Sequence, residues 1–267
     1  MKSKGDFNMN RVSVLGAGSW GTSLAIVLAE NGHDTLLWSH RKEQANEINI
    51  QHTNVKYLPT TILPENLKAT SDIAEAVHHA DIIVMAVPTK GIRETCQKIL
   101  ETLDKKMLFV HVSKGIEPNT LLRISEIMRE EIPAELIEDI VVLSGPSHAE
   151  EVVQHHPTTV AAACENLVSA EKIQDLFMNQ YFRVYTNQDV VGVEIGGALK
   201  NVIALAAGAV DGLEFGDNAK AALITRGLAE ISRLGVKLGA NPLTFAGLAG
   251  MGDLIVTCTS VHSCNCR

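Results

Sequence analysis

The stretch that most constrains this chain is "VSVLGAGSWGTSLAIVLAENGH", residues 12–33. It sets Gly16, Gly18 and Gly21 in G-x-G-x-x-G spacing, between a β-branched run and a helical one. In that setting the first glycine makes a tight turn and the second lets backbone approach a pyrophosphate. The third lets the helix sit close to the strand, while the helix N-terminus offers N–H groups and positive dipole to an anion. The motif alone is weak. With a strand before it, a helix after it and a second strand beyond, it reads as a dinucleotide-binding loop rather than a glycine-rich turn.

Cofactor choice in such a unit rests on the end of the second strand, about twenty residues on, where an NAD-selective site carries Asp or Glu. Here the chain reads "WSHR", with Ser39, His40 and Arg41. A hydroxyl and a cation suit a 2′-phosphate, so NADP or NAD is expected, with NADPH preferred. Arg41 also reads as a solvated residue opening a helix. Trp20, inside the loop, reads either as packing on the cofactor or as covering the sheet edge.

Six more runs have strand character: Asp34–Ser39, Asp81–Pro88, Met107–Ser113, Ile140–Pro146, Thr158–Cys164 and Phe182–Thr186. With amphipathic segments between them, they predict an α/β fold, a Rossmann-type doubly wound parallel sheet. After Asn187 only helical text follows, so an all-α domain is expected, with Gly196, Gly197, Ala198, Ala204 and Ala207 letting helices approach closely. The division is placed at 9–188 for the dinucleotide-binding domain and 189–267 for the helical domain, after a disordered tail at 1–8.

Composition narrows the function. Aromatics make up only 4% of the 267 residues, so the cores must be built from Ala, Val, Ile and Leu, which suits helices on a buried parallel sheet. The net charge of −8, without any basic run, argues against nucleic acid. The stretch Ile195–Val210 reads as too short for a membrane span and carries Lys200. The first residues lack the apolar core of a secretory signal, so a cytoplasmic protein is expected. Cys96 and Cys164 read as buried small hydrophobes.

Lys200 is out of place. It sits in "EIGGALKNVIALAAG", where an ammonium on a buried helix face is costly unless paired, and where desolvation lowers its pKa toward neutrality. A lysine snorkelling from a helix edge is the competing reading. "HVSKG" puts Lys114 just after a strand, at the edge where open α/β sheets bind ligands. Asp253, after the glycine-rich "GMGD", reads as a partner carboxylate for Lys200 or as a helix cap. A nicotinamide dehydrogenase acting on a small anionic substrate follows from these residues.

Taken in order, "GAGSWGT", "AVPTK", "HVSKGIEP", "LSGPSHAEE", "GVEIGGALKN", "DNAKAALITRGLAE" and "GDLIVTCTS" resemble the bacterial NAD(P)-dependent glycerol-3-phosphate dehydrogenases, from about Met9 to Ser263. The resemblance implies reversible interconversion of dihydroxyacetone phosphate and sn-glycerol 3-phosphate, for glycerophospholipid synthesis. It makes Lys200 the proton donor and acceptor, and puts Lys114 on both substrate and cofactor. Ser19, Trp20, His40, Arg41, Tyr57 and Ala149 become cofactor contacts. Gly145, Ser147, Asn201, Asp253, Ser263 and Asn265 become substrate contacts. Helical second domains of this kind often pair, so a homodimer is expected by analogy of fold alone.

The last residues depart from the pattern. Where the family has a Ser-Arg-Asn triplet whose arginine holds phosphate, this chain has "SCN", with Cys264 at the arginine position. The family also continues through further helices, so the chain reads as C-terminally truncated, with apolar faces uncovered. A bidentate Arg–phosphate contact has no substitute in Cys. Dinucleotide binding with weak turnover is therefore expected. Zinc held by Cys258, His262, Cys264 and Cys266 is disfavoured, because Cys264 and Cys266 are closer than the usual pair. A disulfide is disfavoured in the cytoplasm. A β-hydroxyacid dehydrogenase and a non-catalytic dinucleotide-binding remnant are the alternatives.

Overall fold

In a computed structural model describing residues 9–260, the dinucleotide-type text folds into one sheet. The elements are β1 (Arg11–Leu15), α1 (Ser19–Glu30), β2 (Asp34–Trp38), α2 (Lys42–Gln51), β3 (Lys68–Thr70), α3 (Ile73–His79) and β4 (Ile82–Met85). Then come α4 (Ile92–Leu100), β5 (Met107–His111), α5 (Ile124–Glu131), β6 (Ile137–Ser144), α6 (Ala149–Val153), β7 (Thr158–Ala163), α7 (Leu167–Phe177) and β8 (Phe182–Asn187). Helices α8 (Val190–Gly212), α9 (Asp217–Lys237), α10 (Pro242–Phe245) and α11 (Asp253–Thr259) follow. The expected tail at 1–8 and all of 261–267 lie outside the described residues.

Strands β4 and β5 are buried at every position, as strands covered on both faces must be. One core joins Val12, Leu24, Val27, Phe177 and Phe182, and another joins Leu15, Ile83, Phe109 and Ile127. These are the two faces of a three-layer sandwich. Helix α4 shows why its segment is helical: Ile92, Thr95, Cys96 and Ile99 recur at helical spacing and are the buried set. Asp72, Asn166 and Asp189 cap α3, α7 and α8 with side-chain oxygens on first-turn amides.

The strand order is β3-β2-β1-β4-β5-β6-β7-β8. The order reverses between β1 and β4, which opens a crevice beyond their carboxyl ends. The sheet is not wholly parallel as expected: β7 runs antiparallel to β6, and β8 follows β7 in parallel. β6 ends at Ser144 and β7 begins at Thr158, a connection at the short limit of the dozen or more residues that a parallel crossover takes, and only its five-residue α6 is helical. The three-residue edge strand β3 was not foreseen.

Helix α8 packs on α9, α11 and β6. Its close approach depends on Gly196, where a Cβ would lie 2.6 Å from the Ala249 carbonyl oxygen. At 23 residues α8 is longer than the run judged too short for a membrane, so length does not exclude a span. What marks it as an interior helix is that Glu194 and Lys200 both have protein partners. Val202, Leu205 and Leu234 on α8 and α9 are exposed, beside a groove of about 440 Å³. Cys96 and Cys164 are free, buried thiols, and Cys258 is buried.

Candidate active site

The glycine loop is held by backbone contacts. Gly16 has φ +125°, and a Cβ there would sit 2.4 Å from the Ala86 carbonyl oxygen at the exit of β4. A Cβ on Gly21 would fall 1.9 Å from the Gly16 carbonyl oxygen. Around Gly18, by contrast, nothing lies within 4 Å of such an atom. Gly18 is also the N-cap of α1 and provides no side-chain cap, so the first-turn amides of this 12-residue helix are left for an anion. The loop, Trp38, His40, Tyr57, Val112 and Ser113 line a cavity of about 410 Å³. Glycines that keep space open in front of an uncapped helix fit a pyrophosphate.

The other cofactor candidates fall into two groups. Ser19 Oγ donates to the Tyr57 carbonyl oxygen (3.0 Å), and Trp20 both lines the cavity and packs 6.5 Å from the Phe182 ring. Trp20 thus covers the sheet beside Phe182 of β8 and leaves part of its ring on the cavity wall. His40 is exposed at the cavity. Arg41 is placed differently: its guanidinium donates to Gln44 Oε1 (3.0 Å), lies 5.7 Å above the Tyr57 ring and lines an adjoining depression with Lys56. Ser39 is buried, donates to Gln44 Oε1 (2.7 Å) and accepts from the Arg41 amide, so its hydroxyl does not face the cavity as expected. Ala149 opens α6, and its carbonyl accepts from Ser23 Oγ of α1 (3.3 Å).

Gln44 was missed by sequence reasoning. Its Nε2 donates to the Ala17 carbonyl (2.6 Å) and to Asn54 Oδ1 (2.9 Å), which ties the glycine loop to the end of β2. In "KEQANEINI" nothing separates it from surface glutamines. Only its place on the inner face of α2 does.

The second cluster adjoins the cavity through β5, because Ser113 lines the cavity and Lys114 follows it. Lys114 Nζ reaches Asp253 Oδ2 (2.7 Å) and the Gly145 carbonyl (3.3 Å). Lys200 Nζ donates to Asp253 Oδ1 and to Thr257 Oγ1 (2.8 Å), whose hydroxyl in turn donates to the Asp253 carbonyl (2.6 Å). Asp253 is therefore a partner carboxylate. It also opens α11 as that helix's first residue, and it is 1% exposed against 7% for Lys200. Ser147 Oγ donates to the Gly145 carbonyl (3.0 Å), which keeps that loop at the cluster. Asn201 lies exposed on α8. Ser263, Asn265, His262, Cys264 and Cys266 lie outside the described residues. No His/Cys/Asp/Glu group able to hold a metal occurs among the described residues.

Two ammonium groups share one carboxylate, so the cluster is one positive charge in excess when all three ionise. Lys200 responds. Burial, then the charge of Lys114, pushes it down from 10.5 to about 7, against the opposing pull of Asp253. Thr257 was the other residue missed; its signal is the i, i+4 spacing from Asp253 in "DLIVT".

A glycine-loop cleft at the switch point of the sheet, adjoining a buried lysine whose pKa burial lowers to about 7, is the arrangement of a two-domain dinucleotide-dependent oxidoreductase. Family comparison gives the particular group. Residues 11–170 match the NAD-dependent glycerol-3-phosphate dehydrogenase N-terminus, and residues 189–267 match the C-terminus of the same family. The chain belongs to the NAD-dependent glycerol-3-phosphate dehydrogenase family. It is 74% identical over 259 residues to the glycerol-3-phosphate dehydrogenase [NAD(P)+] of Lysinibacillus sphaericus, which covers 97% of this chain and 77% of that one. The Bacillus subtilis enzyme of the same name is 62% identical, over 97% and 75%. The solved glycerol-3-phosphate dehydrogenase of Coxiella burnetii superposes with a TM-score of 0.91 at 39% identity, over 97% of this chain and 78% of that one. As a member of this family the chain is an oxidoreductase using NAD or NADP.

Proposed function

We propose that the chain interconverts dihydroxyacetone phosphate and sn-glycerol 3-phosphate, with Lys200 as the group that gives and takes the substrate proton. The observation that carries the reading is the Lys200–Asp253–Lys114 cluster beside the glycine-loop cleft. A nicotinamide, when bound, supplies a hydride to or accepts one from the substrate carbon. The protein's own part is to bind, orient and move a proton.

Gly16, Gly18 and Gly21 with the α1 N-terminus hold the pyrophosphate in this reading, and Ser19, Trp20, His40, Tyr57 and Ala149 bound the rest of the cofactor. Lys200, charged, polarises the carbonyl oxygen and donates a proton as the alkoxide develops. Asp253 and Thr257 fix its Nζ. Lys114 and the Gly145–Ser147 loop position the substrate, and the excess positive charge favours an anion. Asn201, Ser263 and Asn265 complete the substrate contacts by resemblance alone. The same proposal includes the division at residue 188, a cytoplasmic setting and pairing through the helical half.

The test is NADPH oxidation followed at 340 nm with dihydroxyacetone phosphate, against glyceraldehyde or a β-keto acid as controls. A preference for the phosphorylated ketone supports the proposal, and turnover only with the others overturns it. The KM for dihydroxyacetone phosphate also reads on Cys264: a value well above millimolar fits a weakened phosphate grip.

The pH dependence has a defined sign. In the reducing direction Lys200 must begin protonated, so kcat/KM is expected to be flat below about pH 7 and to fall about tenfold per unit above it. In the oxidising direction Lys200 must begin neutral, and kcat/KM rises through the same pH. Profiles of the same sense in both directions would remove Lys200 from the proton step.

For the cofactor we infer that NADPH is preferred through Arg41, held near the ribose end of the cleft. Arg41→Ala is expected to weaken NADPH about tenfold or more while leaving NADH within about twofold, read by fluorescence titration. An equal loss for both would make Arg41 a structural residue of α2.

A further inference from the structure

Glu194 lies on α8 six residues before Lys200, and its side chain is 3% exposed. A carboxylate so deep must be neutralised or fully paired. This one is hydrogen-bonded by two residues of the dinucleotide-binding half and has a third, His111, at ion-pair distance. Ser125, in the first turn of α5, donates to it through its amide (2.8 Å) and its hydroxyl (2.7 Å). Arg123, the N-cap of α5, donates through Nη1. His111, the last residue of β5 and fully buried, has Nε2 3.0 Å from Glu194 Oε1. Burial opposes ionisation of Glu194, yet His111 and Ser125 hold its carboxyl down at about 2.

The geometry gives this ion cluster a second meaning. Lys114 is three residues beyond His111 on the same exit from β5. Helix α8 and that exit therefore meet three times in succession. Glu194 meets His111. A Cβ on Gly197 would lie 3.5 Å from Lys114 Cγ, so backbone runs against the lysine stem. Lys200 then meets Lys114 through their shared Asp253. Positions 194, 197 and 200 are at i, i+3 and i+6, an inclined row that winds about 120° round the helix.

We propose that Glu194 is a positioning residue for the reaction: clamped by His111, Arg123 and Ser125, it fixes the rotation and axial position of α8 and so sets Lys200 against Lys114 and Asp253. This rests on the reading of Lys200 as the proton donor. Turning α8 by about 20° moves atoms at its ~5–6 Å outer radius by about 2 Å, enough to take Lys200 Nζ off Asp253. The ordinary alternative is that Glu194 only glues two parts of the fold together.

The experiment reads Lys200 directly. The intact chain is labelled with an amine-selective anhydride across pH 5–10, and modification of Lys200 is followed by peptide mass spectrometry. The groups facing Lys200 are Asp253, Lys114 and Thr257, and none is altered by Glu194→Gln. In the parent chain Lys200 is expected to titrate near 7. In folded Glu194→Gln it is expected to titrate about one unit higher, so that labelling at pH 6 falls about tenfold. The kcat is expected to fall 10- to 100-fold, with the Kd for NADPH within about twofold of the parent. Ser125→Ala, which removes the hydroxyl's bond to Glu194 and the one it accepts from Arg123, is expected to move labelling about threefold in the same direction, and it carries the test if Glu194→Gln does not fold. Unmoved Lys200 labelling in a folded variant overturns the proposal, however much thermal stability is lost. Lys200→Met measured alongside separates the two levels. If it retains turnover, the proton-donor reading itself fails. If it loses turnover while Glu194→Gln does not, only the positioning role fails.

Discussion

Lys200→Met is expected to lower kcat by about 10³-fold while NADPH binds as before. The magnitude follows from what a positioned acid contributes, about 10²–10⁴-fold, at a carbonyl that must gain a proton as it gains a hydride. Methionine keeps the length and apolar stem of the lysine, so α8 and α11 should stay packed. Asp253 remains charged and keeps Lys114 2.7 Å away, so no buried charge is orphaned. The cofactor cleft has no Lys200 contact in its lining. The measurements are steady-state turnover with dihydroxyacetone phosphate and an NADPH fluorescence titration on the same sample. Turnover within tenfold of the parent would mean that Lys114 or water supplies the proton. Joint loss of turnover and cofactor binding would mean that Lys200 is a structural group.

The second large effect belongs to the glycine loop, where two substitutions should fail for different reasons. Gly21→Ala puts a methyl 1.9 Å from the Gly16 carbonyl oxygen and 3.0 Å from Ala86 Cβ, and the nearer of these is backbone. Either α1 or the loop must move. A destabilisation of about 1–3 kcal/mol is expected, as for overpacked cores, together with NADPH binding weakened about 100-fold or more. Gly18→Ala meets no protein atom within 4 Å, so its melting temperature should stay within about 2 °C of the parent while NADPH binding still falls. Thermal denaturation and titration on both variants distinguish the cases. If Gly18→Ala binds NADPH as the parent does, the pyrophosphate does not cross the face of Gly18.

Much of this was legible in the chain, for reasons that differ from residue to residue. The glycine loop is local: strand, turn and helix occupy consecutive positions, and each glycine answers a nearby contact. Lys200 stands out because a lysine amid Gly, Ala, Val and Ile asks for a partner. Asp253, 53 residues away, reads as its partner or as a helix cap, and only packing chooses between the two. The reversal of β7 was hidden because strand direction is set by the reach of the connection, and a five-residue α6 looks like loop text. Strand β3, "KAT", is too short to show a period. Gln44, Asn54 and Thr257 are polar residues on helix or loop faces, and only packing shows that those faces turn inward. Arg41 reads as a cation for a 2′-phosphate or as a solvated residue opening a helix, but its direction depends on Gln44, which sequence alone leaves on the surface.

The way the two halves of the site are wired has a consequence for the order of assembly. The residues lining the dinucleotide cleft run from Gly16 to Ser113, in the first part of the chain to leave a ribosome. The Lys200–Asp253–Lys114 cluster is closed by contacts spanning 53 and 139 residues. Closing loops of that size delays non-local contacts until the elements carrying them exist, and domains tend to form from the N-terminal side during synthesis. A nascent chain can thus present a finished cofactor surface well before Asp253 arrives to join Lys114 to Lys200. Binding comes first and reactivity last, so an incomplete molecule holds its cofactor without the means to spend it.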